Sequence, residues 1–438
     1  MIIFLFPESY IDYGRQCFGF GFLSFLTAMW FFRNNLLFQS RLLLLVTIGY
    51  YAGLIKAIDP SAAFSPVGIE AQTLEVGAKM FALTSLALLG AFGGLVIGFR
   101  LSRKPGSTWP ATTALMSFSS SYFYFATVIV FITGYLSARS YGNTVFESGY
   151  ASGSGKGQLL GNLQAIGVIA MVVAVTAGSR SSRRWVTPFL IFLGSYFFIW
   201  GIFLRGGRID VLSGILAVVI GPAAANGRIA RFRLRHYVVF VFVALAMEAW
   251  GTLRTTLSSA EAPEETIVED YKGLMDLGIY NAGTISSIAT TFSNTVDMMG
   301  TAVNFDHGKS YFDYVLRTPP EFIYPNRPRD LAWMFQDLGY SAIGGMFELA
   351  EAFFNFGLIG CLLVPFCISY AIGVTYRKAL RGQLLWFFIL ASVLAETFRG
   401  GWYQTFAFYK GAVTGIVLYF AFVFVANSFG QRRVIARA

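Results

Sequence analysis

The sequence predicts an all-α, polytopic integral membrane protein with about eleven transmembrane helices (10–12) and one large outer loop containing short helices. Three observations carry this prediction. The chain of 438 residues is 55% hydrophobic and only 13% charged, with a mean hydropathy of +0.60, whereas a soluble domain carries about 25% charged residues. Apolar runs long enough for a bilayer, about 17–25 residues, recur along it. The connectors between those runs sort by charge. Cytoplasmic connectors carry the excess of Lys and Arg, so this sorting also sets an orientation.

The expected helices run near 16–32, 42–58, 79–99, 111–136, 159–179, 186–204, 211–225, 237–253, 357–376, 384–398 and 411–428. Met1 to Phe6 are apolar but too short for a signal peptide, and they meet Pro7 at once. One set of connectors is Arg33–Arg41, Arg100–Pro110, Arg180–Trp185, Asn226–His236, Arg377–Gln383 and the tail from Gln431. It holds 18 of the 33 basic residues and no acid. The other set, with the helix ends facing it, holds all 23 acids. The first set is therefore expected inside, with the C-terminus inside and the N-terminus outside. The net charge of +10 then reports orientation rather than a nucleic-acid partner.

Three divisions follow: residues 1–253 as an N-terminal bundle of about eight helices, 254–356 as the large outer loop, and 357–438 as about three C-terminal helices. A loop of that length inside a compact protein is usually functional. Within it, Ala282–Val303 is apolar enough for a surface or re-entrant helix. Asp330–Gly339 is expected to form another short helix. Gly344–Phe356 is apolar but interrupted by Glu348 and Glu351, and is expected in the outer interface. Small residues such as Ser117–Ser121 suit close packing between helices. No GxxxxGK[ST] loop and no large inner loop occur, so an ATP-driven pump would need a partner subunit as its motor. Cys17, Cys361 and Cys367 fall in no metal-ligand spacing. No HExxH or DxD pattern occurs either, so neither a metal nor a cofactor is expected.

Arginines at the outer face are the strongest chemical signal. Arg205-Gly-Gly-Arg208-Ile-Asp210 is a tight turn between two spans, and Arg399-Gly-Gly-Trp402 repeats it. Arg254 ends the eighth expected span, and Arg327 and Arg329 flank Pro328. The planar guanidinium matches phosphate oxygens, and adjacent glycines let phosphate approach backbone N–H groups. The competing reading is that these arginines reach up to anionic membrane lipid. Among acids, Glu248 and Glu396 lie within apolar runs near their outer ends, where Glu396 and Arg399 are spaced for a helical pair. Glu348 and Glu351, three apart, share a helix face and are candidates for general-base work or acceptor binding, helix solubilisation being the plainer reading. His307 is a further candidate, although a lone loop histidine is usually only solvated. Tyr311, Tyr314, Tyr324, Trp333, Tyr340, Trp402 and Tyr403 offer rings for sugar stacking, against the plainer reading as interfacial aromatics.

In its whole topology the chain resembles the Wzy-type O-antigen and exopolysaccharide polymerases of bacterial inner membranes. Two local patterns carry the resemblance. One is Arg205-Gly-Gly-Arg208 followed by a span. The other is Gly344-Gly345, then Glu351-Ala-Phe-Phe-Asn355-Phe-Gly357 and Gly360, with Phe353 where the family usually has Tyr. The related O-antigen ligases share the topology but usually follow the loop histidine with a Gly-rich sequence, whereas His307 is followed only by Gly308. The resemblance implies a metal-independent membrane glycosyltransferase that joins undecaprenyl diphosphate-linked oligosaccharide repeat units at the large periplasmic loop, with a chain-length regulator as a partner. It implies Arg205, Arg208, Arg254, Arg327, Arg329 and Arg399 as diphosphate ligands, and Glu351, or else Glu348, Asp210 or His307, as the catalytic group. Tyr324, Trp333, Tyr340, Trp402 and Tyr403 would hold sugar. The alternatives are a ligase-like transferase and a transporter or flippase of lipid-linked oligosaccharide. A transporter would keep its charges near the bilayer midplane, whereas those of this sequence are expected at outer helix ends.

Overall fold

A computed structural model describes residues 10–58, 74–101, 132, 166–173, 175–176, 208–231, 284–299, 304–319, 324–328, 331, 335 and 346–428. Among them the chain is all-helical, with no sheet. The helices are α1 (Tyr10–Phe31), α2 (Leu36–Ile58), α3 (Leu74–Leu101), α4 (Arg208–Ala225), α5 (Thr284–Met298), α6 (Lys309–Arg317), α7 (Glu348–Leu380), α8 (Leu384–Ala395), α9 (Thr397–Trp402) and α10 (Phe406–Ser428). Among the described residues, three segments are long and apolar enough to cross a membrane: Val76–Arg100, Glu348–Leu380 and Phe406–Phe424. Shorter apolar helices include Gly19–Phe31, Leu36–Tyr51, Val211–Ala225 and Leu384–Ala395. The expected spans 186–204 and 237–253 lie outside the described residues, as does nearly all of 111–136.

The packing is that of a helical membrane protein. Helices α3 and α7 make the most extensive contact of the bundle. Gly90, Gly94 and Gly98 form a stripe four residues apart on α3, and each sets its backbone against a carbonyl of α7, those of Leu362, Phe366 and Tyr370. Without side chains there, the two backbones close to contact, and dispersion replaces the hydrophobic drive that lipid cannot supply. On α1, Phe20, Leu23, Leu26 and Trp30 face outward, as lipid-facing residues do.

Described parts of four acid-free connectors meet at one end of this bundle. The Leu36 amide donates to the Ala230 carbonyl at 2.9 Å, and Arg377 donates to the Phe99 carbonyl. Gly227 lies beside the Leu380 carbonyl, and Phe38, Phe99 and Tyr376 cluster edge to face. Described parts of connectors that the sequence marks as acid-free thus touch one another.

Two helices are broken, and the breaks shape the interior. Helix α7 bends at Gly357, whose φ of 60° and ψ of −143° belong to a region that essentially only glycine occupies. The limb 348–356 folds back along the limb 358–380. Cys361 Sγ lies 3.7 Å from the Leu349 carbonyl, and Gly360 has no room for a Cβ beside the Ala352 carbonyl. A straight helix would hold Glu348 and Ser369 about 31 Å apart, yet both bond one guanidinium, that of Arg41. The second break follows α8. Its 12 residues rise only about 18 Å, short of the roughly 30 Å hydrocarbon core. The chain then makes the six-residue α9 before α10 returns.

Three expectations change here. Gly344–Phe356 is expected as an exposed-looking stretch of the outer interface; its described portion, 346–356, is instead packed inside the protein, with Leu349, Ala350 and Ala352 fully buried. The surface or re-entrant helix expected within Ala282–Val303 is α5, and of the two placements the surface one falls: Ile288, Ala289, Phe292 and Val296 are buried together with Thr291, Ser293 and Thr295, against α2, α3 and α7. Glycines of the Arg399-Gly-Gly-Trp402 turn, read as openings for phosphate, are filled by packing. Gly400 meets Phe408, and Gly401 meets Leu44. Leu44 is eight residues into α2, about 12 Å from its start, so this turn sits well inside the bundle.

Candidate functional site

The folded-back limb carries both acids of the expected pair, and it buries both. Glu348 is 0% and Glu351 1% exposed. Neither solubilises a helix, and neither lies at a surface. Their surroundings differ sharply.

Glu348 is clamped. Arg41 Nη1 donates to Oε2 at 2.6 Å and Nη2 to Oε1 at 2.5 Å, a bidentate fork. Arg41 Nε donates to Ser369 Oγ at 3.1 Å, and the guanidinium lies over the Phe408 ring, 5.5 Å from its centroid. Arg41 had been read as the end of an inner connector. It is instead the sixth residue of α2, 1% exposed, and it ties α2 to both limbs of α7. Both oxygens of Glu348 accept from Arg41, so of the two acids it is the one tied into a described ion pair. The available signal was a charge near the start of the apolar run Leu36–Ile58, which by default is paired or functional.

Among the described residues, the groups that bond the Glu351 carboxylate are hydroxyls. Its Oε1 accepts from Ser310 Oγ at 3.0 Å and from the Tyr314 hydroxyl. Asn355, one turn on, donates through Nδ2 to Ser310 Oγ and to the Glu351 carbonyl, each at 2.8 Å. Ser310 and Tyr314 lie on α6, four residues apart and so on one face. That face is turned inward, while Phe312, Val315 and Leu316 of the same helix are exposed, the arrangement of a helix resting in a membrane interface. Asp306 Oδ2 accepts from the Ser310 amide at 2.9 Å, fixing the first turn of α6. His307 sits in the left-handed region, at φ 51°, and its amide donates to the Asn355 carbonyl at 3.1 Å. The apex of α7 and the start of α6 are thereby knitted together. Phe305 packs edge-on against Phe353, the position at which the resemblance expects Tyr.

Beside this network runs a groove of about 720 Å³. His307, Tyr311, Tyr314, Asn355 and Thr405 lie at its polar end, and the 358–380 limb forms its apolar wall. Burial, with Glu351 and Glu348 adding to it, pushes the Tyr311 phenol well above its ordinary range, so it remains a neutral donor.

No family model, no curated protein and no solved structure matches the chain. What the site can do therefore follows from its own geometry.

The remaining expected residues scatter. Arg399 is half-buried in the inward turn. Glu396 lies 3.9 Å from Lys410 Nζ. Trp402, expected as a sugar platform, packs in the core. It is 6% exposed, donates its indole N–H to the Leu44 carbonyl at 3.0 Å and lies edge-on to Phe398. The Tyr403 carbonyl accepts from the Met346 amide at 2.5 Å, joining the second break to the root of the limb. Tyr324 is 39% exposed and Arg327 half-buried. Arg205, Arg254, Arg329, Trp333 and Tyr340 lie outside the described residues, as do the side chains of Arg208 and Asp210. Among the described residues no group of His, Cys, Asp or Glu could hold a metal ion. Ser310, Asn355 and Arg41 were not singled out from sequence as a set, because their partners are 41 to 328 residues away in the chain.

Proposed function

We propose that the chain is a membrane glycosyltransferase that joins oligosaccharide units carried on undecaprenyl diphosphate, at the periplasmic face of a bacterial inner membrane. One observation carries the reading: Glu351 is a buried carboxylate bonded by the hydroxyls of Ser310 and Tyr314, and Tyr314 itself lines the polar end of a groove that continues along a membrane-crossing helix. In the reaction, an acceptor sugar hydroxyl attacks the anomeric carbon of the donor glycan. Glu351 takes the hydroxyl proton, the new C–O bond forms, and the bond to the lipid diphosphate breaks with its electron pair leaving on the diphosphate. Arginines stabilise that departing charge, with Arg205, Arg208 and Arg399 the first candidates. The leaving diphosphate supplies the driving force, so no ATP is consumed.

The test is direct. Purified protein supplied only with a lipid-diphosphate oligosaccharide should lengthen it. Intact substrate after prolonged incubation with folded protein would overturn the reading.

A second reading has one observation in its favour. The Arg41–Glu348 pair and the inward Arg399 turn put charge deep among broken helices, as in transporters, and not only at outer helix ends as expected from sequence. A flippase of lipid-linked oligosaccharide would need no base. In vesicles it would move the substrate across the bilayer unchanged, with Glu351→Gln as active as the parent.

A further inference from the structure

The groove beside Glu351 has two chemically different ends. Ile359, Leu363, Val364, Cys367 and Ile368 form its wall, recurring on one face of the 358–380 limb. Ile359 is 66% and Leu363 50% exposed, so this wall opens sideways onto the surface that lipid would cover. From Ile359 to Ile368 it runs about 13 Å, close to the depth of one leaflet's hydrocarbon.

At the other end three lining residues each carry a buried polar atom with no partner in the protein: Tyr311 Oη, Asn355 Oδ1 and Thr405 Oγ1. Buried polar atoms are almost always hydrogen-bonded, and each orphan carries a desolvation cost. The three atoms are themselves closed off from solvent, so a small turn of each side chain toward the groove would let it complete its bonds with something that enters there. Two hydroxyls and one amide oxygen suit vicinal hydroxyls of an uncharged sugar, each of which donates and accepts. Among the described lining residues there is no Lys or Arg, so this end is suited to hydroxyls rather than to phosphate.

We infer that the groove holds the acceptor, with its hydrocarbon chain against 359–368 and its sugar hydroxyls on Tyr311, Asn355 and Thr405, next to Glu351. Calling this ligand the acceptor rests on the glycosyl transfer proposed above; the chain-and-sugar specificity does not. A diphosphate between chain and sugar would lie at the mouth, where His307 lines the groove and exposed Lys309 stands two residues on.

The experiment uses the full chain in nanodiscs without donor, so that binding is read apart from turnover. Three diazirine-tagged probes are compared: a farnesyl diphosphate-linked disaccharide, farnesyl diphosphate alone, and phosphatidylglycerol. Cross-links of the sugar probe should map to 359–368. The double variant Tyr311→Phe/Thr405→Val keeps shape but removes two oxygens, and should weaken the sugar probe about tenfold while leaving the sugar-free probe unchanged. Ile359→Trp, at a largely exposed position that tolerates bulk, should exclude both farnesyl probes. Equal affinities of the double variant and the parent for the sugar probe would overturn the inference. So would phosphatidylglycerol cross-links in the groove that the sugar probe fails to displace. Intact groove binding without any product when donor is added would instead count against the transferase reading alone.

Discussion

Glu348 and Glu351 stand one helical turn apart on the same limb, equally buried, yet one is bound by a guanidinium and the other by hydroxyls. Glu348 closes a fork with Arg41 that holds α2, the folded-back limb and Ser369 together. Glu351 faces α6, which brings Ser310 and Tyr314. A buried ion pair is fully satisfied and chemically inert. Glu351, by contrast, is bonded among the described residues by two hydroxyls, one of which, that of Tyr314, belongs to a residue lining the groove. The difference arises from which neighbour each side of the limb meets, so one turn of helix provides both a lock and a reactive group.

The lock should produce the largest effect. Arg41→Ala leaves Glu348 charged and unpaired in the interior, a loss of about 3–5 kcal/mol, read as a collapse of the melting transition in detergent or as loss of inserted protein. Replacing the pair together, Arg41→Met with Glu348→Leu, should recover most of that stability, because matched apolar groups often substitute for a buried pair at little cost. A double variant as unstable as Arg41→Ala would mean that the fork does more than satisfy two charges.

The bend that separates the two limbs comes next. Gly357→Ala places a Cβ about 3.2 Å from the Phe305 ring and forces a positive φ on a residue that resists it, about 1–3 kcal/mol. Lower melting and lower activity together are expected, since the bend carries both acids. The smallest effect belongs to Tyr314→Phe, which removes one donor to Glu351. About 1 kcal/mol of stability should be lost, with activity reduced more than stability if orientation of the carboxylate matters to chemistry.

How much of this was legible in the sequence depends on chain distance. Local patterns were readable. The apolar runs predicted α1, α2, α3, α4, α8 and α10 to within a few residues at most ends, and the acid-free connectors announced one end of the bundle. The motif around Glu351 marks the turn of helix that meets α6, and Tyr311 and Tyr314 are among the outer aromatics that the sequence offers. Two acids in an apolar stretch suggest a surface, which is why the sequence places 348–356 in the interface; Arg41, 307 residues from Glu348, and the α6 hydroxyls of Ser310 and Tyr314 at Glu351 help to make their burial tolerable. Gly357 was taken as the start of a span when it is the apex of a hairpin, and a glycine's φ is not written in its neighbours. Likewise, the glycines after Arg399 promised an open phosphate turn, but Leu44 and Phe408 fill them. Long-range packing decided each of these points.

The most direct test sets the two acids side by side. Glu351→Gln and Glu348→Gln are expressed in parallel, and each membrane sample is divided between a melting measurement and a polysaccharide ladder. Glu351→Gln should be inserted, melt within about 1 kcal/mol of the parent and accumulate single lipid-linked units, with transfer slowed about 10²–10⁴-fold. Glu348→Gln should lose stability first, with activity falling in proportion to the folded protein that remains. A full ladder from Glu351→Gln, or a stable but inactive Glu348→Gln, would contradict the division of labour between the two carboxylates.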